Sequence, residues 1–128
     1  MKDWIPFNDG EYLVDQAFLT DSNSRAVRLD EAVISIFSDA AGRRGMSGRC
    51  KIRNHLLVQL MDESDDIHMI LDFGDEFKYI LKFPELSGGK VFSPNVISSL
   101  QFAPKEPWEQ IPIDQFEELR TRLKILSP

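Results

Sequence analysis

The sequence predicts an α+β fold, a three-stranded antiparallel meander that the N-terminal segment can extend to four or five strands, packed with two to three helices. Three observations predict it. Apolar residues alternate with period two through His55–Phe83, the mark of strands with two distinguishable faces. Apolar residues between Leu29 and Ala40 recur at steps of three and four, which describes a helical stripe. Helix-start signals stand at Ser93-Pro94 and Asp114. At 128 residues the chain is one domain by length, 1–128, and large enough to bury a single core.

The alternating stretch divides into strands at about Ile52–Leu60, Ile67–Phe73 and Phe77–Phe83. In the second hairpin, placing Asp72 opposite Lys78 sets Ile70 against Ile80 and His68 against Lys82 on one face. The other face then pairs Phe73 with Phe77, Leu71 with Tyr79, Met69 with Leu81 and Ile67 with Phe83. A slip of one residue would set core side chains against polar ones, so the register is strongly specified. The first hairpin is looser, with Leu60 opposite Ile67 across a loop from Met61 to Asp66.

In the 29–40 segment, Leu29, Ala32, Val33, Ile36, Phe37 and Ala40 form the stripe, and Gly42 supplies the left-handed residue that ends many helices. Ser93-Pro94 reads as an N-cap and first helical proline, leading into Val96, Ile97 and Leu100. Asp114 and Glu117 have capping-box spacing, with Asp in place of the usual Ser or Thr. Phe116, Leu119, Leu123 and Leu126 supply the buried face of that last helix. Pro104, Pro107 and Pro112 hold an extended connection from which Trp108 anchors to the core. Glu11–Leu19 fits a strand or a short helix, and Asp21-Ser22-Asn23-Ser24 is a loop.

Composition narrows the function class. Hydrophobic content of 42% and charged content of 28% are those of a globular chain. A single cysteine, Cys50, excludes an intramolecular disulfide and offers no Cys-based metal site. The opening Met1-Lys2-Asp3-Trp4-Ile5-Pro6 has an acid and a proline where a signal peptide needs an apolar run, and no window reaches the length of a membrane span. The expected setting is cytoplasmic, without cofactor or metal.

Net charge is −6, unevenly distributed. Arg43, Arg44, Arg49, Lys51 and Arg53 fall within eleven residues that hold no acid; the remainder has ten basic against twenty-one acidic residues, or −11. Such a surface repels nucleic acid and membrane phosphates and favours cationic partners.

Four groups of residues are candidates. The basic segment 43–53, with Gly42, Gly45 and Gly48 interleaved, suits a phosphate-binding loop; five phosphate contacts would give a log K–log salt slope of about −4.5. The competing reading places Lys51 and Arg53 against Asp72, Asp75 and Glu76 as charge compensation. Asp62, Glu63, Asp65 and Asp66 form an acidic loop at the opposite end of the sheet. It fails as a calcium loop, since Ile67 and Phe73 occupy the glycine and acidic-ligand positions; its default reading is a solvated turn, whose unneutralised charge makes it the best place to meet a basic partner.

The third group is an apolar stripe of Leu57, Ile70 and Ile80 on the sheet's outer face, framed by His55, Asp72 and Lys78 on one side and Gln59, His68 and Lys82 on the other. It is either a protein-binding surface or the bed of a helix. The fourth is catalytic, and thin: Cys50 with His55 as a nucleophile pair, Asp72 as an orienting acid with no nucleophile beside it, and Ser87-Gly88-Gly89-Lys90, which lacks P-loop spacing and the Ser or Thr after the lysine.

The function these features predict is a non-enzymatic protein-binding module: a small acidic inhibitor, such as an immunity protein that neutralises a cationic toxin or nuclease. Its rivals are a secretion chaperone or adaptor holding an apolar client segment, a phosphate or RNA binder through 43–53, and a hydrolase or transferase built on Cys50 or His55.

Overall fold

Backbone curvature dominates the architecture. A computed structural model of the chain describes residues 7–63, 66–88 and 97–126. In chain order these form β1 (Gly10–Leu13), β2 (Gln16–Thr20), β3 (Arg25–Ser38), β4 (Arg44–Arg53), α1 (Asn54–Glu63), β5 (His68–Asp72) and β6 (Lys78–Lys82). There follow β7 (Glu85–Gly88), β8 (Ile97–Ala103), β9 (Glu109–Gln110), α2 (Ile113–Arg122) and β10 (Lys124–Ile125). The strands make one sheet, ordered β7-β8-β4-β3-β2-β5-β6-β9, with β1 and β10 also paired to β3. It is antiparallel except for the short β10–β3 contact and curls into a half-barrel. The expectation of a three-stranded meander with two to three helices is therefore corrected: among the described residues strands dominate, and the helices are two and short.

The 29–40 segment is the central strand β3, not a helix, and its own sequence explains both facts. Val27 and Leu29 are buried, and so are Ala32, Ile34 and Ile36. Alternation holds on each side of Asp30–Glu31 but changes parity across it, so the step from Leu29 to Ala32 is three residues and imitates a helical period. The register against β4 shifts there, between Asp30↔Lys51 and Val33↔Arg49, and Glu31 sits at φ 51°. This is a β-bulge, which bends a strand and increases its twist. Gly42 does adopt a left-handed conformation, φ 79°, but it closes the β3–β4 hairpin. There Asp39 Oδ1 accepts from Ala41 N at 2.9 Å and Arg43 N at 2.8 Å.

Two further assignments change. Residues 54–63 are α1, not the continuation of a strand: Leu56 and Leu60 are buried, four apart on one helical face, while Val58 and Met61 face outward at 43% and 49% exposure. Burying two leucines stabilises this helix by roughly 1.5–3 kcal/mol each. Ile97–Leu100 belongs to strand β8, in which Leu100 and Phe102 are buried and Ile97 is 52% exposed; Ser93-Pro94 lies outside the described residues. Glu11–Leu19 resolves into β1 and β2.

The β5–β6 hairpin has the register read from sequence, from His68↔Lys82 to Asp72↔Lys78. The last helix is present as α2, although its cap is Pro112, without a side-chain cap bond, so Asp114 serves the first turn by charge alone. Trp108 is buried as expected. Its ring packs edge-on to Tyr79 and Phe7 with centroids 5.5 and 5.8 Å apart. Phe7 also touches Tyr12 and Phe73, so aromatic rings close one end of the core.

Two apolar layers result. The larger lies on the face of the sheet that α1 covers and includes Leu19, Val27, Ile34, Ile52, Leu60, Met69, Leu81 and Phe102. The smaller lies on the opposite face, where Phe18 and Ile70 meet Ile111 and Phe116, with Ile80, Leu119 and Leu123 alongside. Beneath α2, Lys78 Nζ donates to Asp72 Oδ1 at 3.0 Å and to Asp75 O at 2.7 Å, and stands 4.9 Å from the Phe116 ring centroid. Both side chains of this ion pair are nearly inaccessible.

Phe102 packs on bare backbone: a Cβ on Gly48 would stand 2.1 Å from Phe102 Cζ. Gly48→Ala should cost about 1–3 kcal/mol through overpacking, measured by urea denaturation. Phe102→Leu in that background should recover part of the loss, because it removes the ring edge that clashes.

Candidate partner-binding site

An open groove lies where the C-terminal end of α1 meets the β6–β7 connection and the β7–β8 edge of the sheet. Its volume is about 840 Å³, within the range that accepts a ligand or a few side chains. Met61, Ile67, Phe83, Leu86 and Phe102 supply apolar lining, and Arg49, Glu85 and Lys105 supply charge. Met61 and Phe83 remain 49% and 47% exposed. They are large apolar groups held at the rim of a concavity, as binding anchors are.

Phe83 is held there against its own preference. Its φ is 48°, a left-handed conformation that costs a bulky residue about 1–3 kcal/mol, and the following Pro84 further disfavours a compact backbone at this position. His68 supports it: the rings meet edge-to-face with centroids 4.8 Å apart, and Phe83 N donates to His68 Nδ1 at 3.4 Å.

Of the acidic group, Asp62 and Glu63 belong to the C-terminal end of α1, next in sequence to the groove residue Met61, and not to a strand-to-strand loop. Asp62 is exposed on the last turn of α1 and Asp66 is half-buried. Glu63 is the last residue of α1, and Asp65 lies outside the described residues. Carboxylates at a helix C-terminus meet the negative end of its dipole, so they do not stabilise the helix on which they sit.

The apolar stripe does not exist as a surface. Ile70 is 1% exposed and, with Ile80, lies in the layer under α2, while Leu57 belongs to α1 and packs against the other core. This correction follows from the helical conformation of 54–63, which removes Leu57 from the sheet register. Of the residues framing the stripe, His68 alone comes to the groove, through Phe83.

The basic segment is strand β4 and not a flexible loop. Arg43 Nε lies 2.9 Å from Asp39 Oδ2, Arg44 Nε 3.4 Å from Asp9 Oδ1, Arg49 Nη2 3.4 Å from Glu11 Oε1 and Lys51 Nζ 2.8 Å from Glu31 Oε2. Arg44 also donates to Phe7 O. Charge compensation is thus the local arrangement, but its acids come from β1, the β3–β4 turn and the bulge. The expected partners differ because β3 and β2 separate β4 from the β5–β6 hairpin in the sheet. Arg53 ends β4, half-buried. Exposed pairs of this kind contribute little stability, yet each occupies a cation that a phosphate would need.

Cys50 lies on the buried face of β4 at 2% exposure. Burial, and secondarily the Asp30 carboxylate, push its thiol up to about 12, so it is neither accessible nor a thiolate at neutral pH. Asp72 pairs with Lys78, and His55 belongs to α1 and not to the sheet register that would set it beside Asp72. Among the described residues no group of three or more His, Cys, Asp or Glu side chains is placed to hold a metal ion. Ser87 and Gly88 form part of β7, whereas Gly89 and Lys90 lie outside the described residues.

No protein-family model, curated protein or solved structure matches this chain. Among the described residues no helix is long and apolar enough to cross a membrane.

The Cys50 thiol has a testable signature. Because it holds its proton to a higher pH in the folded than in the unfolded chain, it stabilises the fold below its ordinary value of 9.0. That contribution is lost as pH rises from there through about 12. Cys50 should resist a thiol-specific disulfide reagent at pH 8 until denaturant is added. Stability over the alkaline range should fall more steeply in the parent than in Cys50→Ala.

Proposed function

We propose that this protein is a non-enzymatic protein-binding module, a small acidic inhibitor or immunity-type protein that neutralises a cationic toxin or nuclease in the cytoplasm. One observation carries the reading: a groove with half-exposed Met61 and Phe83 at its rim adjoins the acidic end of α1. Apolar anchors lengthen the life of a complex, and surrounding charge speeds its formation. The overall charge of −6 attracts a basic partner over long range and repels nucleic acid.

The rivals have each lost a supporting feature. The chaperone reading used the Leu57–Ile70–Ile80 stripe, whose isoleucines α2 covers. The phosphate or RNA reading used five cations, four of which are engaged by carboxylates. The hydrolase or transferase reading used Cys50 or His55, and Cys50 is buried with its thiol pushed up to about 12.

Affinity capture from the native host at low salt, with mass spectrometry, should recover one basic protein at near-stoichiometric yield. Replacing Asp62, Glu63, Asp65 and Asp66 together by Ser should slow its association about tenfold or more at low salt, with a smaller effect at high salt. Recovery of nucleic acid, or an association rate that the four substitutions leave unchanged, would remove the proposal.

A further inference from the structure

We infer that β7, the edge strand Glu85–Gly88, receives an extended cationic segment of the partner as an added β-strand, whose apolar side chains enter the groove lined by Met61 and Phe83. This inference rests on the protein-binding reading above and specifies its geometry.

The two ends of the sheet differ. At one end β9 has two residues and leads directly into α2, with Ile111 N donating to Lys78 O at 2.7 Å. At the other end β7 pairs with β8 from Glu85↔Ala103 to Gly88↔Leu100 and, among the described residues, with no strand on its outer side. An edge strand presents unpaired N–H and C=O groups at the strand spacing, a template for another chain. Here the template has a side-chain site beside it, because Glu85, Leu86 and Ser87 of β7 also line the groove. A strand added at β7 would send alternate side chains towards it.

Phe83 strengthens the inference independently. A left-handed phenylalanine immediately before a proline is strained, and this one is 47% exposed. Its strained backbone therefore places an aromatic ring at the groove instead of within the core.

Charge selects the occupant. Glu85 lies on the edge itself, and Asp62 and Asp66 adjoin the groove residues Met61 and Ile67 in sequence. The groove lining also carries two cations, Arg49, which is engaged by Glu11, and Lys105. A second copy of the chain brings the same −6 and would set Glu85-bearing edges against each other, so self-pairing is disfavoured. A strand alternating apolar and basic residues satisfies both the groove and its acidic surround.

The full-length protein, isotopically labelled, should be titrated with an end-blocked nonapeptide alternating Val and Lys, and separately with the same peptide bearing Glu for Lys. The Lys peptide should shift the amide signals of Glu85–Gly88 and slow hydrogen exchange there at least tenfold; the Glu peptide should bind at least tenfold more weakly. Phe83→Gly should weaken the Lys peptide at least tenfold while leaving the melting temperature close to the parent value, because glycine relieves the left-handed backbone. Failure of the Lys peptide to bind, binding that leaves β7 amides unchanged, equal binding of the Glu peptide, or a β7-mediated dimer in sedimentation would each overturn the inference. Capture of a basic partner whose complex leaves β7 amides unprotected would remove strand addition alone and leave the protein-binding reading standing.

Discussion

One extra residue in β3 governs the shape of this molecule. Glu31, at φ 51°, changes the parity of the central strand between Leu29 and Ala32. Ala32, Ile34 and Ile36 consequently face the same core as Val27 and Leu29 despite the bend. Were the same fourteen residues an unbulged strand, Val27 and Leu29 would point to one face and Ala32, Ile34 and Ile36 to the other. The neighbouring β1 and β2 follow the same bend, interrupted at Val14–Asp15, where Val14 N donates to Ala32 O at 3.0 Å. By contrast, Met46, Gly48, Cys50 and Ile52 of β4 alternate without interruption. The mismatch between a bulged strand and an unbulged neighbour is a physical source of the curl, and α1 packs on the face that carries the larger core.

Seen from α1, the curl also creates the groove. The helix buries Leu56 and Leu60 and turns Val58 and Met61 outward, so its exposed end lies alongside the β7–β8 edge. On the opposite face α2 covers Phe18, Ile70 and Ile80, and Lys78 of the Asp72–Lys78 pair stands against the Phe116 ring. A buried ion pair adds little net stability over a hydrophobic pair of the same shape, but losing one partner leaves a charge uncompensated. The hairpin register in which these two residues face each other is the one that avoids that penalty.

How much of this the sequence discloses depends on whether each local pattern has one physical cause. The β5–β6 register is legible because both faces of the hairpin carry matching residues from Met69 to Leu81. The last helix is legible because Phe116 and Leu119 within it and Leu123 at its C-cap repeat at helical steps. The 29–40 segment misleads because a bulge converts a two-residue step into three. Residues 54–60 mislead for the opposite reason: His55, Leu57 and Gln59 imitate a strand, while Leu56 and Leu60, four apart, carry the burial. For β8, the informative pair was Leu100 and Phe102, separated by exposed Gln101. Charge counting identifies the acidic end of α1, but its apolar neighbours escape notice. Nothing local marks Met61 or Phe83 as half-exposed, since that exposure is set by how distant elements pack.

The claim on which this account depends most is that the bulge sets the curl. Equilibrium denaturation of two variants, Glu31→Gly and deletion of Glu31, tests it directly. Glycine removes the left-handed strain and only an exposed ion pair with Lys51, so Glu31→Gly should be at least as stable as the parent. Deletion keeps the apolar residues of β3 on one face but removes the bulge, so the strand should lose its bend and the denaturant midpoint should fall well below the parent's. A deletion variant that unfolds cooperatively at the parent's denaturant midpoint would contradict the account.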